Sequence, residues 1–362
     1  MKAARLNAVN TPLRIEGLPD PVLRPGSVLV RILAERVLSY TGEVLSGQRR
    51  VQPPAPCTPG TGGIAVIEAV AEDVFDLKPG QKVFCDGFVA SRANTEPRLA
   101  HGGLPYADGI LGGWFGLTEA SEGILRFWKD GSFAEKALYP AENVTPIEGE
   151  GDEDDTRLAA LSNLTIAYGG LLRGELRPGQ SVIVTGATGN IGACAVVVAL
   201  AMGAARVVAV GRDTDTLATL ERLDPKRVVT VTATGDREQD ANALREAAGG
   251  ADVFLDALGT AQTPDLTLAA ILSLRPAGHA VFMGGVATDI PIPYSRMLLM
   301  GWTLRGSFMY PRSAPAELLR MIAAGTLDLS AFTPHEYPLD RINDAVADAP
   351  SVKGLDFVVV TP

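Results

Sequence analysis

The chain has only three cysteines, Cys57, Cys85 and Cys194, and no two of them form a C-x-x-C pair. That excludes a disulfide framework and a structural zinc knuckle. Positive charge is also short. Lys and Arg number 32 against 42 Asp and Glu, a formal net charge of −10. Nucleic acids and anionic lipid surfaces are both held by clustered Lys and Arg, so neither partner is expected. The opening residues, Met1-Lys-Ala-Ala-Arg-Leu-Asn-Ala8, lack the apolar core of a secretory leader, and a cytoplasmic location is expected. One window, between Arg177 and Arg206, carries no charge and is long enough to span a bilayer. Gly, Thr and Asn at 185–190 interrupt it, so it reads as strand, loop and buried helix.

That window holds the most informative stretch of the chain. Residues 181–185 are a short apolar run, Gly186, Gly189 and Gly192 follow, and an alanine-rich apolar run continues to Met202. A strand–turn–helix of this kind lets backbone N–H groups approach a pyrophosphate at a helix N-terminus, where the helix dipole adds positive charge. The spacing is G-x-x-G-x-x-G rather than the commoner G-x-G-x-x-G. Thr188, Asn190 and Ile191 complete the candidate cradle. A second strand at 206–210 ends at Gly211, about 20 positions past the turn, where the residue that reads the ribose is expected. NAD enzymes place Asp or Glu there to accept from the 2′-hydroxyl. Gly211 removes that carboxylate, and Arg212 can make paired hydrogen bonds to a 2′-phosphate. Asp213 counts the other way. NADPH is the expected cofactor.

The length predicts two domains. Residues 1–90 read as β-rich, with short runs at 2–6, 12–16, 27–33 and 63–71 between Pro and Gly. Residues 91–133 read as an irregular excursion carrying His101, Tyr106, Trp114, Phe115, Phe127 and Trp128, either a lid or interface or a small packed core of its own. The acidic run Glu148-Gly-Glu-Gly-Asp-Glu-Asp-Asp155 reads as a solvated linker that favours the following helix N-terminus. Beyond it, strands at 181–185, 206–210, 227–231, 252–257 and 279–283 alternate with helical patterns at 190–203, 213–223, 239–248 and 263–273, which builds a parallel sheet. A strand at 302–308, helices near 314–324 and 340–348 and a strand at 357–360 close the chain.

This order resembles the medium-chain dehydrogenase/reductase superfamily, which includes zinc alcohol dehydrogenases and zinc-free quinone or enone reductases. The resemblance covers nearly the whole chain. It rests on Leu77-Lys-Pro-Gly-Gln-Lys-Val83, the glycine stretch 186–192, Asp252-Val-Phe-Leu-Asp-Ala-Leu-Gly259 and Leu274-Arg-Pro-Ala-Gly-His-Ala-Val-Phe-Met-Gly-Gly285. The implied fold is α/β: a β-rich GroES-like catalytic domain over 1–155 containing the 91–133 excursion, a Rossmann domain over 156–303, and a C-terminal return over 304–362. Short-chain dehydrogenases share the glycine phrase, but they carry it near the N-terminus and use a Tyr-x-x-x-Lys pair. None of the seven tyrosines here has Lys four positions on.

Zinc members of the superfamily take a first ligand from a G-V-C-H-[ST]-D phrase, and Leu38 of Arg36-Val-Leu-Ser-Tyr-Thr41 stands at that cysteine. Their P-G-H-E-G phrase becomes Pro59-Gly-Thr-Gly-Gly63, with Thr61 and Gly62 for His and Glu. Ser162, ahead of Tyr168-Gly169, replaces a third cysteine. Leu, Thr and Ser cannot supply the ligands of a catalytic zinc, so none is expected. Developing negative charge must then be met by hydrogen-bond donors. Candidates are Ser39, Tyr40, Thr41 and Thr61, faced by Ser162 and Asn163. Tyr40 aligns with the proton-relaying hydroxyl of zinc members, and is either a donor or a wall that shapes the pocket. Gly259, Gly284, Gly285 and the Ser307-Phe308-Met309 segment are expected along the nicotinamide half. His279 and His335 read as structural, at a strand start and in a loop, leaving His101 to enter the site.

The reading that follows is a zinc-independent NADPH oxidoreductase that reduces an activated C=C or a quinone, chemistry in which charge spreads over a conjugated oxygen. The alternatives are a zinc-free NADP(H)-dependent ketone reductase or alcohol dehydrogenase, and an NADPH-binding protein without turnover. The resemblance also implies a homodimer or homotetramer acting on a small molecule.

Overall fold

The structure is a computed structural model that describes residues 1–49, 53–89, 110–111, 115–116, 119–148 and 154–362. It opens with β1 (Lys2–Arg5), β2 (Arg14–Gly17), β3 (Ser27–Val37), α1 (Thr41–Leu45), β4 (Gly62–Val70) and β5 (Lys82–Asp86). Next come β6 (Phe88–Val89), β7 (Ile110–Leu111), β8 (Phe115–Gly116) and α2 (Glu119–Trp128), then β9 (Lys136–Pro140) and β10 (Val144–Pro146). The excursion expected to be irregular therefore contains a helix of ten residues. His101, Tyr106 and Trp114 lie outside the described residues.

β3 is the spine of this part. It pairs antiparallel with β4, β9 and the C-terminal strand β20 (Asp356–Thr361), so the last residues complete a sheet begun by the first. The path across that seven-stranded sheet is β10-β5-β4-β3-β20-β19, where β19 is Thr333–Pro338. His335 thus lies in a strand rather than a loop, because β20 draws Thr333–Pro338 into parallel register despite its two prolines.

α3 (Asp155–Leu158) and α4 (Leu161–Arg173) lead into the second part. Asp154 caps α3, its carboxylate accepting from the Thr156 N–H at 3.0 Å. The acids at 150–153 lie outside the described residues. Then follow β11 (Ser181–Thr185), α5 (Asn190–Ala201), β12 (Arg206–Gly211), α6 (Thr214–Leu223), β13 (Val228–Thr232), α7 (Arg237–Ala248) and β14 (Ala251–Asp256). After these come β15 (Thr260–Ala261), α8 (Asp265–Ile271), β16 (Leu274–Phe282), β17 (Gly285–Val286), α9 (Tyr294–Met300) and β18 (Thr303–Gly306). α10 (Ala314–Ala323) and α11 (Ile342–Asp348) flank β19.

Six strands make one parallel sheet in the order β13-β12-β11-β14-β16-β18. Its sequence reads as continuous apolar runs because both faces are buried. Val182 and Val184 enter one core with Val207, Ala209, Val253 and Leu255. Ile183, Val208, Val210 and Phe254, one residue out of phase, enter the other. Residue 303 was the expected end of this unit, but β18 carries the sheet on to Gly306.

Candidate active site

The glycine turn sits at the carboxyl end of β11, at the point where strand order reverses, which is where open α/β sheets bind ligands. Gly186 has φ +70°, and a Cβ on it would overlap the Ala257 carbonyl. A Cβ on Gly192 would overlap the Gly186 carbonyl, so the first turn of α5 lies hard against β11. Gly189, the exposed residue that caps α5, has room beside it. The cradle fits a dinucleotide pyrophosphate: backbone only, small, and at a helix N-terminus.

Gly211 is glycine for a steric reason. A Cβ there would run into the Thr188 side chain, so no carboxylate can occupy the ribose-reading position while Thr188 holds its place. Arg212 is exposed beside it. The Asp213 carboxylate is committed elsewhere. One oxygen caps α6 by accepting from the Thr216 N–H at 3.0 Å, and the other lies 3.5 Å from Lys353 Nζ. Lys353 belongs to the C-terminal segment, which is bound onto the turn. The Gly354 N–H donates to the Thr188 carbonyl at 3.1 Å, and Asn190 Nδ2 donates to the Gly354 and Asp356 carbonyls at 3.1 and 2.8 Å. Sequence reading missed Lys353, which is distant in the chain and is brought in only by β20.

On the nicotinamide side, a Cβ on Gly284 would overlap the Leu258 carbonyl, whereas Gly259 has open space around it. Buried Asp256 braces this loop, accepting from Thr185 and Thr267 hydroxyls and the Leu258 N–H at 3.1, 2.8 and 3.0 Å. Phe308 is half-exposed and meets Phe88 edge to face, ring centres 6.1 Å apart. Behind them the Tyr310 hydroxyl donates to Asp86 at 2.7 Å, and burial pushes the Asp86 carboxyl up to about 6. Gly169 lets this segment close on α4, since a Cβ there would press on Met309 and Tyr310. His279 is structural as expected, although it lies well inside β16, with Nδ1 2.9 Å from the Gly174 carbonyl.

The facing side of the cleft is the end of β3. Leu38 and Val44 are buried and Tyr40 packs on them. Ser39 is exposed in the turn that follows β3. Tyr40 is half-buried under the Arg49 guanidinium, 4.2 Å from its ring centre. Burial raises its pKa, so the phenol keeps its proton and can donate. The Thr41, Thr61 and Ser162 hydroxyls are buried without a hydrogen-bond partner among the described residues. The Thr61 backbone N–H donates to Glu35 at 2.5 Å, and burial holds Glu35 well above the usual carboxylate range. One step back, Arg36 reaches across to Asn163 at the start of α4 and to Cys194 on α5. Arg36 joins the end of β3, just before the turn that carries Tyr40, to the glycine-turn helix, and sequence reading gave it no role.

Residues 24–149 match the family described as the alcohol dehydrogenase GroES-like domain, and residues 190–324 match the family described as zinc-binding dehydrogenase. An alcohol dehydrogenase of Moraxella sp. (strain TAE123) is 32% identical over 95% of this chain and 94% of its own. The chain belongs to the medium-chain dehydrogenase/reductase superfamily. Alcohol dehydrogenase TADH from Thermus sp. ATN1 superposes with TM-score 0.81 at 23% identity, covering 100% of this chain and 99% of its own. A zinc-binding dehydrogenase from Sinorhizobium meliloti 1021, solved bound to NADP, gives 0.78 at 20% identity, covering 100% and 99%. Superfamily membership makes this chain an oxidoreductase with a nicotinamide cofactor, and the GroES-like and Rossmann parts are the two implied by its sequence.

The zinc of many superfamily members does not fit these residues. Leu38 has no donor atom, and Thr61 and Ser162 offer only neutral hydroxyls. No cluster of three His, Cys, Asp or Glu able to hold a metal occurs among the described residues. Gly62 cannot revert to the family's glutamate without moving backbone, since its φ is +91° and a Cβ would overlap the Cys85 carbonyl. No helix among the described residues is long and apolar enough to cross a membrane.

Proposed function

We propose that this protein is a zinc-independent, NADPH-dependent reductase of activated C=C bonds or quinones. The observation that carries the reading is the donor set: at the positions that the resemblance assigns to zinc ligands stand Leu38, Thr61 and Ser162, and the Thr61 and Ser162 hydroxyls are buried without a hydrogen-bond partner among the described residues. The reduced nicotinamide supplies a hydride when bound. Gly186, Gly189, Asn190, Ile191 and Gly192 would hold the pyrophosphate, and Thr188, Gly211, Arg212 and Lys353 the 2′-phosphorylated ribose. Gly259, Gly284 and Phe308 would line the nicotinamide half. Tyr40 donates to the substrate oxygen, and Thr41, Thr61 and Ser162 offer weaker donors behind it. An enone or quinone disperses its negative charge by conjugation, so neutral donors suffice; oxidising a simple alcohol would also require a base.

The relatives' names favour a second reading, a zinc-free NADP(H)-dependent alcohol dehydrogenase or ketone reductase. NADPH oxidation against a panel of quinones, enones, ketones and aldehydes separates the two. Turnover of ketones alone would sink the first reading, and no turnover at all would favour a cofactor-binding protein. Stoichiometric zinc in the purified protein would overturn both. Tyr40→Phe should lower kcat about 100-fold if the phenol is the donor; full activity would make it a pocket wall.

We also propose a homodimer, the smaller of the two expected assemblies. Among the described residues β18 is an open edge of the parallel sheet, and α9, which packs against β16 and precedes β18 in the chain, exposes Tyr294, Leu298 and Leu299 at 78, 69 and 84%. A second copy would cover both.

A further inference from the structure

The buried Arg36 guanidinium is unexplained by the fold alone. Only 2% of the residue is accessible, and no Asp or Glu pairs with it among the described residues. With its amide oxygen turned to the guanidinium, Asn163 accepts from both terminal nitrogens at 2.8 and 3.0 Å. Cys194 Sγ is a further neighbour, the Phe357 ring centre lies 5.0 Å away, and Nε has no hydrogen-bond partner among the described residues. A buried cation normally needs an anion, because transfer out of water costs several kcal/mol. This one has a neutral amide, a thiol and a ring.

Its place gives it a use. Arg36 is the next-to-last residue of β3, two residues before Leu38 and four before Tyr40 in the turn that follows, and Asn163 is next to Ser162. The guanidinium therefore links chain neighbours of Leu38 and Ser162 to the glycine-turn helix, through Asn163 and Cys194. We propose that Arg36 is a positioning residue of the active site: a fixed, desolvated positive charge that favours negative charge on Tyr40 and on the substrate oxygen Tyr40 holds. This rests on the reading of Tyr40 as donor given above. Burial lowers the Arg36 pKa only to about 10, so it stays charged at neutral pH. Among the described residues, Arg49, which is paired to Glu43 at 2.9 Å, and Arg36 both pull the Tyr40 pKa down against its burial. Of the two, Arg36 is the one shielded from solvent and salt.

The test compares Arg36→Met, Arg36→Lys and Asn163→Asp with the wild type. Asn163→Asp leaves the arginine in place and pairs it with an anion, so it decides the matter even if Arg36→Met fails to fold. Two readouts are used: kcat against pH with the best substrate of the panel, and ultraviolet titration of Tyr40, isolated by difference from Tyr40→Phe. We expect kcat to fall at least tenfold in Arg36→Met and Asn163→Asp, with NADPH affinity kept, and the Tyr40 pKa to rise in both. Arg36→Lys should restore most of each effect. An unmoved Tyr40 titration in folded Asn163→Asp overturns the proposal, as does Arg36→Lys behaving like Arg36→Met. If the wild type turns over nothing in the panel yet the titration shifts, the functional reading fails and the charge coupling stands.

Discussion

Arg212 and Asp86 carry the sharpest consequences of single side chains. Gly211 is fixed by Thr188, so cofactor choice falls to charge around the ribose, where exposed Arg212 precedes the Asp213 that Lys353 approaches at 3.5 Å. A charge-assisted hydrogen bond is worth about 1.5–3 kcal/mol, so Arg212→Ala should weaken NADPH binding about 10- to 100-fold and leave NADH nearly unchanged. Fluorescence titration with both cofactors measures it, and equal losses would reject the 2′-phosphate role. Asp86 concerns stability. Its folded pKa of about 6 lies above the ordinary 3.8, so the folded state holds the proton more tightly. Stability is therefore greatest below the unfolded pKa and falls as pH rises from about 4 to 6, by up to about 3 kcal/mol. Asp86→Asn keeps an acceptor for the Tyr310 hydroxyl without the charge. The variant should match wild type near pH 4 and exceed it in Tm at pH 7; a constant difference across that range would refute the assignment. The Arg212 role is legible in the sequence, and the Asp86 role is not. Asp86 ends an ordinary strand in the sequence, and only folding sets it against Tyr310, 224 positions away.

At the scale of elements, the parallel sheet was legible and much of what frames the cleft was not. β11 falls at 181–185 as expected, because an apolar run ending in glycine has few other solutions. The helical stretch after the acidic run was read without bounds, although its α4 presents Ser162 and Asn163. Nine of its thirteen residues are buried, Thr165, Gly169 and Gly170 among them, so it shows no single apolar stripe. The start of β16, Leu274-Arg-Pro-Ala-Gly278, has the composition of a turn and is nevertheless paired to β14 and β18 further along. The C-terminal segment was read correctly as a strand, but its grip on the glycine turn through Asn190 was invisible because it joins residues 164 and 166 positions apart. Asn190→Ala removes both hydrogen bonds while leaving the Gly354 N–H on Thr188. The expected result is a loss of about 1–3 kcal/mol in stability and weaker NADPH binding, as Lys353 is no longer held near Asp213. Unchanged cofactor affinity in a destabilised variant would make the segment a brace only.

For the whole molecule, the two parts share β20 and the segment after β18, so substrate and cofactor sides are tied at two places rather than hung on one linker. That architecture leaves one large unfinished surface among the described residues. β18 has a neighbour on one side only, and α9 has no buried residue although it contains Met297, Leu298, Leu299 and Met300. A free strand edge beside exposed leucines invites pairing, and soluble chains normally cover or charge such edges. A two-fold copy meets the requirement with a self-complementary patch. Leu298→Glu with Leu299→Glu would place two like charges on each side of that patch. Sedimentation should then show a dimer converted to monomer, with the NADPH site intact in each copy because the glycine turn lies at the carboxyl end of β11, on the other side of β14 and β16 from this edge. A wild type that sediments as a monomer would refute the dimer, and an unaltered dimer in the double variant would place the interface elsewhere.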